Sequence, residues 1–114
     1  MHLELGNGIK LYYTFEGENR GTGKSVVLLH GFTGCGESWQ TISRELAGSW
    51  RLIIPDLLGH GKSSAPENPD LYRIEAAAEH LASLLDQAAD EPVHLLGYSM
   101  GGRLALYFAL AYPQ

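Results

Sequence analysis

Residues 94–103 read HLLGYSMGGR, and the interpretation of the whole chain starts from this segment. Gly97, Ser99 and Gly101 form the pattern G-x-S-x-G directly after a short apolar run, and a longer apolar run follows. A serine in such a strand-to-helix turn is typical of a nucleophile elbow, which projects a reactive hydroxyl above a sheet. The flanking glycines remove side chains that would collide with the neighbouring strand and helix. The alternative is an ordinary glycine-rich turn in which Ser99 caps the helix.

Upstream of the elbow, the sequence shows strand patterns of two kinds. Residues 3–17 alternate on both sides of Gly6-Asn7-Gly8, which predicts two antiparallel strands joined by a tight turn. Continuous apolar runs, each ending in a glycine or a polar turn, predict strands that are buried on both faces. These runs lie at 25–31, 50–59 and 93–99.

Three segments have helical spacing, over 37–48, 73–89 and 102–112. In the first, Trp39, Ile42 and Leu46 should face the core, and Gly48 should end the helix. The second has one apolar stripe, formed by Ile74, Ala77, Ala78, Leu81, Leu84, Leu85 and Ala88. The third is apolar nearly all round, which predicts a helix covered on most sides. The order of elements predicts an α/β protein with a mostly parallel sheet of about five strands and an antiparallel N-terminal hairpin.

Composition narrows the classes of function. The chain has 114 residues, of which 45% are apolar and 18% charged, so we expect one globular domain at most. A net charge of -5 without any Lys/Arg cluster argues against nucleic acid as a partner. No apolar run approaches the roughly 20 residues that span a bilayer, and the N-terminus lacks a secretory pattern, so no membrane partner is expected. The lone Cys35 cannot form an internal disulfide, which favours a cytoplasmic location.

The oxyanion donors of such a site should come from two backbone positions. The N–H of Met100 lies at a helix N-terminus, which favours negative charge. His30-Gly31-Phe32 ends the first buried parallel strand, and the N–H of Phe32 can supply the second donor. His30 itself is interpreted as a core histidine that backbone groups satisfy and that shapes this loop.

Asp56 and His60 follow the second buried strand and are candidates for the acid and the base of a catalytic triad. In folds with a nucleophile elbow, however, the acid and the histidine follow the serine along the chain. We therefore interpret both residues as holding a loop by local hydrogen bonds.

Arg103 lies four residues after Ser99, about one helical turn into the last helix. Its guanidinium could hold a substrate carboxylate in a bidentate fork, or it could form a buried structural ion pair, and the residues alone leave both interpretations open. Cys35 has no local cation to activate its thiol, so a packing role is favoured. The remaining histidines show no metal-ligand spacing, and no metal is predicted.

VVLLHGFTG (26–34), DLLGHGKS (56–63) and LLGYSMGGR (95–103) together resemble the α/β-hydrolase superfamily. Within it, HGFTG, Trp39 and GYSMGGR are most similar to the menaquinone-pathway synthases that form 2-succinyl-6-hydroxy-2,4-cyclohexadiene-1-carboxylate. The resemblance implies an elimination of pyruvate from a small anionic substrate, with no cofactor. It assigns Ser99 as the catalytic serine, Phe32 and Met100 as oxyanion donors, and Arg103 with Tyr98 as substrate-binding residues.

The chain departs from that family in length. A complete domain of this kind has about 250 residues, so residues 1–114 are expected to form the N-terminal half, without the cap, the acid and the triad histidine. Three hypotheses follow: a synthase fragment that is inactive alone, a serine ester hydrolase of the same fold, and a half-domain that assembles with itself or a complementing chain through an exposed sheet edge.

Overall fold

The structure is a computed structural model, and it describes residues 1–17, 24–32, 34–48, 50–89 and 93–112. The strands are β1 (His2–Gly6), β2 (Ile9–Glu16), β3 (Ser25–Leu29), β4 (Arg51–Pro55) and β5 (His94–Gly97). The helices are α1 (Gln40–Leu46), α2 (Ile74–Ala88) and α3 (Met100–Ala111). Short 3₁₀ turns at Gly36–Trp39 and Pro69–Tyr72 precede α1 and α2. The strands form one sheet in the order β1-β2-β4-β3-β5, which confirms the predicted α/β class.

The predicted hairpin is present. β1 and β2 pair antiparallel, with Leu3 opposite Leu11. Asn7 and Gly8 have φ values of 51° and 75°, the left-handed conformation that a two-residue hairpin turn needs and that asparagine and glycine tolerate best.

The three apolar runs form the parallel part of the sheet. β3 lies between β4 and β5 and pairs parallel with both, while β2 joins the other side of β4 antiparallel. Successive residues of β3 point to opposite faces, and Val26, Val27, Leu28 and Leu29 are all buried. Burial on both faces explains why this strand is continuously apolar instead of alternating.

A layer of helix covers each face of this sheet. On one side, Trp39 beside α1 packs with Val26, Leu28, Leu52 and Ile54. On the other side, α2 and α3 pack on a larger cluster. The predicted stripe of α2 lies there, with four members buried and three half-buried: Ala78, Leu81, Leu84 and Ala88, and Ile74, Ala77 and Leu85.

The first helical segment differs from its prediction. The chain forms a 3₁₀ turn before α1, because the N–H of Gly36 donates to the carboxylate of Asp56, 20 residues away, at 2.6 Å. As a result Trp39 is buried, but Ile42 is exposed and Ser43 takes the inward position. The prediction that Ile42 faces the core is wrong. Gly48 does not adopt the left-handed conformation of a glycine cap either, and Ala47 ends the helix.

One face of α3 has no cover among the described residues. Leu104 and Phe108 are buried against the sheet, whereas Leu106 and Leu110 are 71% and 85% exposed. The prediction that this helix is covered on most sides therefore does not hold here. Nowhere in the described ranges is a helix both long and apolar enough to cross a bilayer.

Candidate active site

The site lies where the order of the strands in the sheet reverses direction. From β3 the chain crosses to β4 on one side, and from β4 it crosses back past β3 to β5 on the other. The loops after β3 and β5 therefore diverge and leave a crevice at the carboxyl ends of these neighbouring strands. The elbow sequence follows β5, and His30-Gly31-Phe32 follows β3.

Ser99 occupies a strained turn between β5 and α3. Its φ and ψ are 52° and −110°, a region that a residue with a Cβ rarely occupies. Three backbone hydrogen bonds hold the turn: Tyr98 N–H to Leu29 O at 3.0 Å, Gly101 N–H to Tyr98 O at 2.9 Å and Arg103 N–H to Ser99 O at 3.0 Å. The Ser99 hydroxyl accepts no capping hydrogen bond from the described part of α3. The turn thus has the geometry of an elbow and lacks the bond that defines an ordinary serine cap.

Gly97 and Gly101 make this close approach possible. A Cβ at Gly101 would overlap the carbonyl oxygen of Leu29 on β3, and one at Gly97 would overlap the carbonyl of Gly101. Both obstructing groups are backbone, so they cannot rotate away. The third glycine of the run, Gly102, is different, because a Cβ there would lie 3.4 Å from the nearest atom, the carbonyl oxygen of Gly97.

The two predicted oxyanion donors lie on the loops that flank the crevice. Met100 is the first residue of α3, so its N–H has no acceptor within the helix. At the end of β3, Gly34 N–H donates to Gly31 O at 3.0 Å, which makes the chain turn at Phe32. Gly31 packs beside the elbow, since a Cβ on it would lie 3.0 Å from the ring of Tyr98. The two loops are therefore in contact, and the donor roles of Phe32 and Met100 stay predictions.

His30 is a structural residue. Its side chain is 1% exposed; Nδ1–H donates to Gly31 O at 2.8 Å, and Nε2 accepts from Leu57 N–H at 2.9 Å. Burial lowers its pKa below the usual 6.5, with a smaller lowering from His60, against the raising effects of the Gly31 hydrogen bond and of Asp56. The neutral ring joins the loops after β3 and β4. It is therefore a core histidine that backbone groups satisfy, as the sequence indicated.

Asp56 also connects two loops and is not placed as a catalytic acid. It is 6% exposed, and its two carboxylate oxygens accept from the N–H groups of Gly36, at 2.6 Å, and Lys62, at 2.9 Å. His60 pairs locally, through Nδ1 and the carbonyl of Leu58 at 3.0 Å. The interpretation of both residues as loop-holding groups is confirmed by these hydrogen bonds.

A pocket of about 430 Å³ opens beside the elbow. It lies between α2, α3 and the loops after β3 and β4, and most of its wall is aliphatic or aromatic. Three predicted site residues line it together, namely Phe32, Met100 and Arg103, while Ser99 and Tyr98 do not. Its only ionisable groups other than the Tyr72 phenol are those of Arg103, His60 and His80, and no carboxylate among the described residues lines it.

The position of Arg103 argues against one of its two interpretations. The side chain is exposed, and no ion pair joins it to a carboxylate of the described residues. A buried structural ion pair is thus excluded within these ranges, and the guanidinium is free for a ligand. Tyr98 is 70% exposed, with its ring against Gly31. Substrate binding by Arg103 and Tyr98 stays a prediction.

Two histidines line the pocket although neither was assigned to it from the sequence: His60 was interpreted as a loop-holding residue, and His80 was not singled out. The His60 ring lies 4.9 Å from that of His30 and 5.8 Å from that of Phe32, so it belongs to both the loop and the pocket. His80 lies on α2, one turn after Ala77, and lines the pocket. Helical spacing places His80 beside the apolar stripe, but only the packing of α2 on α3 brings it to the pocket with Arg103.

Sheet order, elbow and crevice together define an enzyme fold, and comparison with known proteins gives the class. The profile of the α/β hydrolase fold family matches residues 24–114, and the chain belongs to this family. A solved hydrolase from Pseudomonas aeruginosa PA01 superposes on all of the chain with a TM-score of 0.89 at 29% identity. The chain covers 42% of that structure.

Two curated relatives are similar over nearly the whole chain but differ in named activity. A protein of Bacillus subtilis (strain 168), provisionally named a 2-succinyl-6-hydroxy-2,4-cyclohexadiene-1-carboxylate synthase, is 41% identical over 114 residues. Lipase 1 of Psychrobacter immobilis is 40% identical over 113 residues. The chain spans 40% and 34% of their respective lengths. The relatives are thus hydrolases or lyases of one fold, and the particular reaction of this chain is a separate question.

Proposed function

We propose that the chain is the N-terminal part of an α/β-hydrolase-fold synthase that eliminates pyruvate from a small anionic substrate, forming 2-succinyl-6-hydroxy-2,4-cyclohexadiene-1-carboxylate. The observation that carries the proposal is the place of Arg103. Its guanidinium, which pairs with no carboxylate of the described residues, lines an apolar pocket one helical turn from the elbow, in a chain whose net charge is -5. A basic pocket without carboxylates in an acidic chain favours an anionic ligand. The name of the Bacillus subtilis relative supports the same chemistry.

Each residue of the site has a role in this elimination. Arg103 binds a carboxylate in a bidentate fork and so orients the substrate. Ser99, once its hydroxyl is deprotonated by a base, removes a proton from the substrate, and the bond to the departing pyruvate then breaks. The N–H groups of Phe32 and Met100 stabilise the enolate oxygen that develops meanwhile.

We infer that the base for Ser99 is a histidine that follows the serine, as the chain order of the family implies. No Asp, Glu or His follows Ser99 in this chain, and both ring nitrogens of His30 are already engaged. Removing the base of a triad costs several orders of magnitude in rate. We therefore expect the 114-residue chain alone to bind the substrate and to release almost no pyruvate.

A chimera tests the proposal. In it, the chain replaces the corresponding 40% of the Bacillus subtilis relative, and pyruvate release is followed by coupling to lactate dehydrogenase. We expect turnover by the chimera, loss of turnover in Ser99→Ala, and none with the chain alone. A folded chimera that releases no pyruvate would refute the proposed reaction, and a chain that works alone at the chimera's rate would refute the requirement for an outside base.

Ester hydrolysis is the second candidate, and the similarity to Lipase 1 of Psychrobacter immobilis favours it. The same serine and oxyanion donors would then form an acyl-enzyme. Replacing Arg103 by methionine in the chimera discriminates between the two. For a synthase, kcat/KM on the dicarboxylate should fall while hydrolysis of neutral nitrophenyl acetate persists; for an esterase of neutral substrates, neither should depend on Arg103.

Assembly through the open side of the sheet is a further proposal. β5 is the edge strand, and Leu96 on it and Leu106 and Leu110 on α3 are exposed apolar side chains. Such an edge pairs readily with another strand. We expect the chain to self-associate, or to bind a complementing C-terminal chain, in sedimentation velocity, and Leu106→Glu with Leu110→Glu to weaken the association. A well-folded wild type that stays monomeric at high concentration, with and without the complementing chain, would count against it.

A further inference from the structure

His80 shares the pocket with Arg103 but lies on the other helix. α2 and α3 pack against each other, and each contributes one basic side chain to the same wall. His80 is half-buried among the apolar members of its stripe, with Ala77 and Leu84 one turn away on either side. A single arginine would suffice to hold one carboxylate, so a histidine that lines the same apolar pocket calls for a reason.

Four ionisable groups share the pocket or the helix with His80. Arg103 on α3, His60 after β4 and the Tyr72 phenol line the pocket with it, and Glu79 neighbours it on α2. Burial lowers the pKa of His80 below 6.5, against a smaller raising effect of Glu79. The ring is therefore neutral in the empty pocket near pH 7, because an unpaired charge in apolar surroundings is unfavourable. A negative charge that entered the pocket would reverse this preference.

We propose that His80 is a further specificity-determining residue of this pocket: it binds a second acidic group of a ligand whose first carboxylate lies against Arg103, and it takes up a proton as that ligand binds. The proton comes from solvent and returns to it on release. This inference rests on the proposed function, since it assumes that Arg103 receives an anion. A histidine suits the role because it is the side chain that changes charge between about pH 5 and 8. It accepts a dianion without leaving a permanent second cation in the empty pocket.

The consequence is a pH-dependent affinity that distinguishes dianions from monoanions. At pH values between the His80 pKa of the free chain and the His80 pKa of the complex, binding of a dianion is accompanied by uptake of up to one proton. The affinity for the dianion therefore falls by up to about tenfold for each unit that the pH rises. A monoanion held by Arg103 alone shows no such slope. A histidine that only packs against its neighbours would produce neither the slope nor the discrimination.

The experiment uses the 114-residue chain with benzoate as monoanion, the three benzenedicarboxylates as dianions and benzyl alcohol as neutral control. The three isomers place their carboxylates at different separations, so the series itself measures the span from Arg103 to His80. Binding is measured by calorimetry from pH 5.5 to 8, and the His80 pKa by the NMR shift of its Cε1–H with and without each probe. The variants are His80→Gln, Arg103→Met and the matched control His2→Gln, whose ring lies on β1 against Tyr12 and outside the pocket.

We expect one dicarboxylate to bind more tightly than benzoate, to raise the His80 pKa and to show the pH slope. His80→Gln should remove the dianion advantage and the slope while benzoate binding persists, and His2→Gln should change nothing. The inference is overturned if the His80 pKa is unchanged with every dicarboxylate, or if His80→Gln binds the dicarboxylates as tightly as the wild type does. The NMR measurement uses the wild type, so it decides even if the variant fails to fold. If benzoate binding still requires Arg103, the proposed anionic pocket survives that result, whereas binding that ignores Arg103→Met defeats both.

Discussion

Replacing Asp56 by asparagine tests whether this carboxylate holds the loops around the site. Its two oxygens accept charge-assisted hydrogen bonds from Gly36 N–H and Lys62 N–H. Hydrogen bonds to charged groups contribute about 1.5–3 kcal/mol each. An asparagine keeps one acceptor, loses the charge and turns its NH₂ group toward the other backbone N–H. We therefore expect the free energy of unfolding to fall by about 2–4 kcal/mol.

Asp70→Asn is the matched control. Asp70 is largely exposed, and its ion pair with Arg73, at 3.4 Å, is a surface pair three residues apart on the chain. Such a pair contributes about 0–1 kcal/mol. Urea unfolding followed by circular dichroism measures both variants, and equal m-values ensure that the midpoints report stability. If Asp56→Asn shifts the midpoint no more than Asp70→Asn does, Asp56 does not hold the loops, and its interpretation as a structural residue is refuted.

Two further predictions concern the elbow and the pH range of stability. Gly101→Ala should destabilise the chain by about 3 kcal/mol or more, because the new Cβ meets the backbone of Leu29. Gly102→Ala lies on the same turn of α3, but its Cβ has ordinary spacing, so it should stabilise the chain by up to about 1 kcal/mol. Similar unfolding midpoints for the two variants would contradict the packing. Since the folded pKa of His30 lies below 6.5, the unfolded chain binds more protons on acidification, so stability should be full above about pH 6.5 and decline as the pH falls below it. His80, whose pKa is also lowered, contributes to the same decline, so His30→Gln should make it shallower without abolishing it in urea midpoints measured from pH 7.5 to 5; an unchanged pH profile would refute the assignment.

The parts of the fold that the sequence predicted are those set by local chemistry or by burial on both faces. The Gly6-Asn7-Gly8 turn needs positive φ values that its own residues favour, and the apolar runs of β3 and β4 follow from cover on both sides. The prediction that the run of β5 is buried on both faces is wrong, because β5 is the edge strand of the sheet and Leu96 is exposed. The start of α1 was mispredicted because a hydrogen bond between Gly36 and Asp56 sets it, and no helical periodicity contains such a contact.

The same distinction applies to the site. The elbow was predictable because strand, turn and helix are contiguous in the chain. The wall of the pocket was not predictable, because His80 and Arg103 belong to separate helices and line one pocket only after α2 and α3 pack together. The bond from Leu57 N–H to His30 likewise joins residues 27 positions apart, so the sequence could suggest a satisfied core histidine but not its partner.

The strain at Ser99 shows which part of the protein builds the turn that carries the proposed nucleophile. A non-glycine residue at such φ and ψ costs of the order of 1–3 kcal/mol and persists only where surrounding structure enforces it. Here the enforcing contacts are backbone hydrogen bonds to Leu29, Tyr98 and Ser99 itself, plus the contact of Gly101 with β3. All of them lie within β3, α3 and the turn between β5 and α3, so the turn needs no side chain from elsewhere. Geometry and activation of the serine are therefore separable: the sheet and α3 place the hydroxyl, and the base only has to reach it.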